Sequence, residues 1–169
     1  MEGKLKFLRY IAYVIEVLVL YVLSGTPGFL PAILGVKPLL LLPVAITIAV
    51  FESEVTAMVF GLICGILCDI GFGTNIGFYT ITLTILCFAF GYCARNFFVT
   101  NFVNAMVIGG VTTTALLIIH FLIFCGGSDM PYLGNHFVRH YLLRIAYTLI
   151  FLPPLFWFNR LFRSQMKED

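Results

Sequence analysis

The sequence predicts an all-α membrane protein: six transmembrane helices in a single bilayer-embedded domain, with both termini cytoplasmic. Three observations carry that expectation. Of 169 residues, 61% are hydrophobic and 11% charged, with a mean hydropathy of +1.04, whereas soluble domains carry roughly 25% charged residues. Residues 70–94 and 96–128 contain no Asp, Glu, Lys or Arg, and a helix needs roughly 20 residues to cross the ~30 Å hydrocarbon core. The apolar runs are continuous rather than alternating, which excludes the strands of a membrane barrel.

The spans fall at residues 7–23, 36–51, 55–69, 77–94, 103–125 and 137–158. The first follows Lys4, Lys6 and Arg9 and is interrupted by Glu16, with no small-x-small cleavage site after it, so it reads as an uncleaved signal anchor. The second and third contain only 14 uncharged residues each, bounded by Lys37, Glu52, Glu54 and Asp69. One long fused helix would bury two carboxylates at mid-membrane, at about 2.5–3.5 kcal/mol each on insertion scales. A turn at Glu52-Ser53-Glu54 avoids that cost. It also leaves Lys4, Lys6, Arg9, Arg95, Arg160, Arg163 and Lys167 on the inner side, against Lys37 and Arg139 outside, as positive-inside bias requires. Between the first two spans, Pro27, Pro31 and Pro38 alternate with Phe29, Leu30, Ile33 and Leu34, the pattern of a segment lying along the outer interface. In the last span Pro153 and Pro154 remove helical N–H donors and predict a bend.

Ionisable residues inside a bilayer are costly and therefore stand out. Glu16, His120 and Arg144 lie within spans. Glu16 and Arg144 are expected to pair in the bundle interior, as a fold-fixing contact or as part of a ligand or proton path. His120 reads as a hydrogen-bonded packing residue. His136 and His140 share a helix face, but no ligand set accompanies them. Cys64, Cys68, Cys87, Cys93 and Cys125 show no C-x-x-C spacing and read as small packing residues.

Gly61 and Gly65 are one turn apart in the third span, the small-x-x-x-small pattern that lets a second backbone approach closely. The approaching helix is either one of this bundle or one of a partner. Asp69 and the glycines after it, Gly71, Gly73 and Gly77, form a bend in which the carboxylate can cap or pair and the glycines permit positive φ. The partner reading extends the face from Gly61 and Gly65 through Asp69 to Gly73 and Gly77. The Gly-x-Gly-x-x-x-Gly spacing is one residue too long for a dinucleotide fingerprint. There is no Ser-His-Asp set, metal cluster or phosphate loop in the sequence, and the basic residues sit scattered at helix ends. Neither an enzyme, nor a cofactor site, nor nucleic-acid binding is predicted.

The stretches Thr26-Pro-Gly-Phe-Leu-Pro, Gly35-Val-Lys-Pro-Leu-Leu-Leu-Leu-Pro43, Phe51-Glu-Ser-Glu54 and Gly61-Leu-Ile-Cys-Gly-Ile-Leu-Cys-Asp69, with Gly73 and Gly77, resemble the bacterial rod shape-determining MreD family. The likeness extends over nearly the whole chain in length and hydropathy, with its specific motifs in residues 26–78. The resemblance implies a multi-pass protein of the bacterial cytoplasmic (inner) membrane. It further implies a non-catalytic scaffold of the cell-elongation machinery that directs peptidoglycan synthesis. Its direct partner would be a single-span MreC-like protein, with MreB-like filaments, a RodA-like glycosyltransferase and a penicillin-binding transpeptidase beyond it. The family is also similar to the S components of energy-coupling-factor vitamin transporters, which implies an S-component-like six-helix bundle and an alternative function as a vitamin-binding subunit. Such subunits carry an Ala-x-x-x-Ala docking face in the first span. Here Ala12 is followed four residues later by Glu16, which disfavours that docking. A third reading, a small enzyme acting on a lipid-linked substrate, would use Glu16, Asp69 and Arg144.

Overall fold

The computed structural model describes residues 2–26, 38–72, 77–96, 102–124 and 141–165. Six helices account for almost all of them, and no strand occurs among the described residues: α1 (Glu2–Gly25), α2 (Leu41–Phe51), α3 (Glu54–Phe72), α4 (Phe78–Asn96), α5 (Phe102–Phe124) and α6 (Leu143–Gln165). Three stretches are long and apolar enough to cross a bilayer, Phe7–Gly25, Glu54–Gly71 and Phe102–Ile123, while Leu41–Phe51 and Phe78–Ala94 are shorter apolar helices. Most of the first outer loop, Gly73, Cys125, His136, His140 and Arg139 lie outside the described residues.

α2 is the centre of the bundle. Its 11 residues are all buried, and it touches each of the other five helices. A helix that is apolar all round is one surrounded by protein or lipid, and hydropathy does not distinguish the two. At about 1.5 Å per residue α2 is only ~16 Å long. The predicted span 36–51 therefore shrinks to a short core helix starting at Leu41, with Leu39 and Leu40 buried just ahead of it. Pro43 falls in its first turn, where a missing N–H costs nothing.

Around α2, α3 packs against α1 and α4, and α5 packs against α6. The helices alternate in direction. Gly61 faces Leu83 and Cys87, Gly65 faces Tyr79 and Thr80, and Gly91 faces Glu54, so α3 and α4 are antiparallel. Gly109 and Gly110 meet Leu152 and Leu149 across α5 and α6. Arg9 of α1 reaches Glu52, just past the end of α2, and Asn159 of α6 reaches Thr47 near that same end. The start of α1 and the end of α6 thus share one end of the bundle. α6 continues through Pro153 and Pro154, which leaves the carbonyls of Leu149 and Ile150 without their usual helical donors.

The Glu52-Ser53-Glu54 turn is present. Phe51 ends α2, Glu52 takes an extended conformation (φ −107°, ψ 172°) and its N–H caps Ile48. The Ser53 carbonyl then accepts from Ala57 N–H at 2.8 Å, opening α3. The Ser53 and Thr56 hydroxyls lie 3.0 Å apart, so two polar side chains fill the N-terminal turn where backbone donors lack helical partners.

Candidate functional site

Three polar layers cross the bundle, and their residues come from elements distant in sequence. The first lies at the shared end. Arg9 Nε stands 2.8 Å from Glu52 Oε1, Arg9 Nη2 donates to Oε2 at 3.1 Å, and the Tyr13 hydroxyl donates to Oε1 at 3.2 Å. The side chain of Glu52 is 4% exposed and that of Arg9 17%. A carboxylate this buried is tolerated only when its charge is matched and its lone pairs are used. Arg9 therefore does more than bias orientation: it fastens α1 to the α2–α3 turn.

The second layer lies about a turn and a half deeper. Asn159 Nδ2 donates to Glu16 Oε1 at 3.2 Å and to Thr47 Oγ1 at 3.0 Å, and the Thr47 hydroxyl in turn donates a hydrogen bond to the Val44 carbonyl at 2.9 Å. These bonds join α1, α2 and α6 through side chains that are 8% (Glu16), 3% (Thr47) and 0% (Asn159) exposed. The expected Glu16–Arg144 pair does not form. Arg144 sits about four turns, roughly 22 Å, from Asn159 along α6, because α6 enters at the end of the bundle opposite the Glu16 layer. Arg144 Nε is buried with no hydrogen-bond partner among the described residues.

The third layer is at the opposite end. Asp69, near the end of α3, caps α4. Its Oδ2 accepts from Gly77 N–H and Thr80 N–H at 3.0 Å each and from the Thr80 hydroxyl at 2.5 Å, and its Oδ1 accepts from Tyr79 N–H at 3.1 Å. One carboxylate thus satisfies three donors that a helix start leaves open, and its negative charge sits at the positive end of the α4 dipole. Gly77 adopts φ +102°, which an L side chain resists, and so lets the chain turn into that cap. The positive φ lies at Gly77; Gly71 is helical within α3, its Cα facing the Tyr21 ring. Nearby, His120 stacks on Tyr79 (centroids 5.2 Å apart, planes at 16°), meets Phe78 edge-on, and has Nδ1 3.3 Å from the Tyr141 hydroxyl. From α5 it packs on α4 and lies within hydrogen-bonding distance of Tyr141, two residues ahead of α6.

Gly61 and Gly65 face α4. A Cβ at Gly61 would lie 2.8 Å from both Cys87 Cβ and the Leu83 carbonyl, and one at Gly65 would lie 2.5 Å from Thr80 Cα. Of the two readings of the small-residue pattern, packing within the bundle is therefore the one realised, with Asp69 committed to the same seam. Cys64, Cys68 and Cys87 are buried and unbridged, and Cys87 Sγ lies 3.6 Å from the Ala45 carbonyl, in keeping with packing roles.

Asn159 and Thr47 are the residues that sequence reasoning passed over. Asn159 lies one residue past the expected span 137–158 and beside Arg160, although an amide bordering an apolar run is itself a sign of an interhelical hydrogen bond.

A comparison with curated proteins and one with solved structures each returned no match. The sequence profile of the rod shape-determining protein MreD matches residues 2–162. That match covers nearly all of the chain and every helix that contributes to the three polar layers. With a helical bundle of bilayer-crossing length and apolarity, it makes this chain a membrane protein of the MreD family, with a role in rod-shape determination.

Proposed function

We propose that this chain is a non-catalytic scaffold of the cell-elongation machinery, spanning the bacterial inner membrane six times and holding a single-span MreC-like partner by helix packing. The family match over residues 2–162 carries the reading. The polar layers support it: the carboxylates of Glu52 and Asp69 are engaged in fixing helices to one another. Connections this short offer little aqueous surface for an interface of ~1,600 Å², so a stable partner contact lies mostly within the bilayer. MreB-like filaments, a RodA-like glycosyltransferase and a penicillin-binding transpeptidase then join through that partner. The test is purification of the tagged chain in mild detergent after co-expression with the MreC-like protein of its source. Stable copurification is expected. A bound vitamin with no retained single-span protein would return the S-component alternative instead.

Six spans with both termini cytoplasmic accord with the shared end of α1 and α6 and with the excess of Lys and Arg there. In a variant stripped of native cysteines, single cysteines at Gly28 and Ser128 should react with an impermeant reagent from outside, and those at Ser53 and Gln165 should not. Labelling of Gln165 from outside would overturn this topology.

A further inference from the structure

Three donor hydrogens serve the buried Glu16 layer. Asn159 Nδ2 directs one to Glu16 Oε1 and one to Thr47 Oγ1, and the Thr47 hydroxyl donates to the Val44 carbonyl. All three are engaged. Two acceptors remain, Glu16 Oε2 and Asn159 Oδ1, both buried and without a hydrogen-bond partner among the described residues. An ionised carboxylate and an amide oxygen only accept, so neither can serve the other. Each unmet acceptor costs about 1–3 kcal/mol, and an uncompensated carboxylate inside a bilayer costs more.

The neighbours do not supply the missing donor. The Tyr13 hydroxyl is engaged by Glu52, and Arg9 pairs with Glu52 roughly 10 Å away along α1. Cys64 of α3 lies near Glu16 but makes no bond to Oε2. Ile15, Leu20, Phe151 and Leu155, beside Glu16 on α1 and α6, are apolar. No cation among the described residues bonds to the carboxyl.

We propose that Glu16 holds a proton in the folded protein, as a neutral carboxylic acid whose Oε2–H donates to Asn159 Oδ1. One proton turns an orphan acceptor into a donor and satisfies both orphans at once. Glu16 and Asn159 then form a two-bond ring, amide N–H to acid carbonyl and acid O–H to amide carbonyl. Closing it needs at most a rotation about the existing 3.2 Å bond, since each orphan belongs to the same planar group as an atom of that bond. Turning the amide over does not remove the requirement. Its oxygen would then meet Glu16 Oε1, acceptor against acceptor, unless the carboxyl carried the hydrogen. The layer is thus a proton-binding site within the membrane, and the bound proton joins α1 to α6. It goes beyond the scaffold reading and does not depend on it.

Infrared difference spectroscopy of the full chain near neutral pH tests this, with Glu16→Gln as the reference. Gln keeps the carbonyl and offers N–H in place of the acid O–H, so it can close the same ring. Its melting temperature should stay within about 2 °C of the parent. The parent-minus-variant spectrum should contain the C=O band of a protonated, hydrogen-bonded acid and no carboxylate bands. Carboxylate bands lost in Glu16→Gln would overturn the proposal, whether water or a cation then meets Oε2. An acid band at the frequency of a free carboxyl would overturn the bond to Asn159. Glu16→Leu removes both bonds and should melt about 3–8 °C below the parent. Melting of Glu16→Leu with the parent, or of Glu16→Gln as low as Glu16→Leu, would show that the proton does not hold the helices. None of these readouts involves a partner, so the scaffold reading stands or falls separately.

Discussion

Gly65→Leu is expected to abolish the folded bundle, and Gly65→Ala to lower its melting temperature in detergent by about 5–10 °C, as an overpacking cost of about 1–3 kcal/mol implies for a chain of this size. The reason is what the added carbon meets. At Gly65 it would lie 2.5 Å from Thr80 Cα and 2.8 Å from the Tyr79 carbonyl, both backbone atoms at the start of α4. Neither can rotate away, so α3 and α4 must separate. Separation there also pulls Asp69 from the N–H groups that it caps. Gly110 is the internal comparison, because a Cβ there would lie 3.5 Å from Leu149 Cδ2, an ordinary contact with a flexible side chain. Gly110→Ala should melt within about 1 °C of the parent, since nothing is displaced. Equal melting of Gly65→Ala and Gly110→Ala would show that the α3–α4 seam is looser than described.

This expectation differs from one read off the Gly61-x-x-x-Gly65 pattern alone. Small residues one turn apart announce that some backbone comes close, but they do not identify it. α4 follows α3 after a short bend and packs antiparallel to it, so it takes the face before any partner can. Gly91, which lies against Glu54 Cα at the far end of the same seam, was the companion signal. Gly65 meets Thr80 and Gly91 meets Glu54, so the two belong to one seam only once the antiparallel register is known.

The positions of the helices were largely legible because charge placement marks them. Glu52 and Glu54 could not sit at mid-membrane, so a turn had to fall between them, and Asp69 beside a glycine-rich bend pointed to a cap. Which polar residues meet was much less legible. Glu16 and Arg144 have opposite charge and similar apparent depth in their spans, which made them natural partners. In the bundle, however, Glu16 lies near the middle of α1, level with Asn159, while Arg144 lies at the start of α6, about four turns from Asn159. The amide of Asn159, a third of a span from the chain's basic end, occupies the place assigned to Arg144. Hydropathy likewise could not separate α2, wholly buried in protein, from α1, which exposes Phe7, Ile15, Leu18 and Val22. Both are simply apolar, because lipid and protein interior make nearly the same demand on a side chain.

Asp69→Ala should cost roughly 3 kcal/mol, which combines the loss of a helix cap, about 1 kcal/mol, with buried donors left unsatisfied at about 1–3 kcal/mol each, partly relieved by relaxation. The substitution removes the acceptor for Gly77, Tyr79 and Thr80 N–H and for the Thr80 hydroxyl at once. Tyr79 is buried, so water cannot readily replace the carboxylate there. Asp69→Asn keeps one carbonyl oxygen but turns an NH2 group toward donors and gives up the charge at the α4 dipole, so its loss should be about half as large. Thr80→Val, which removes only the hydroxyl bond, should cost about 1 kcal/mol. Detergent melting or denaturant titration of the three variants should rank them Ala, Asn, Val from most to least destabilised. Loss of stability in this order, with partner retention falling only as folded protein is lost, is what a cap produces. A variant at Asp69 that melts like the parent yet releases the MreC-like partner would instead make this carboxylate a partner contact, and the bonds to α4 dispensable.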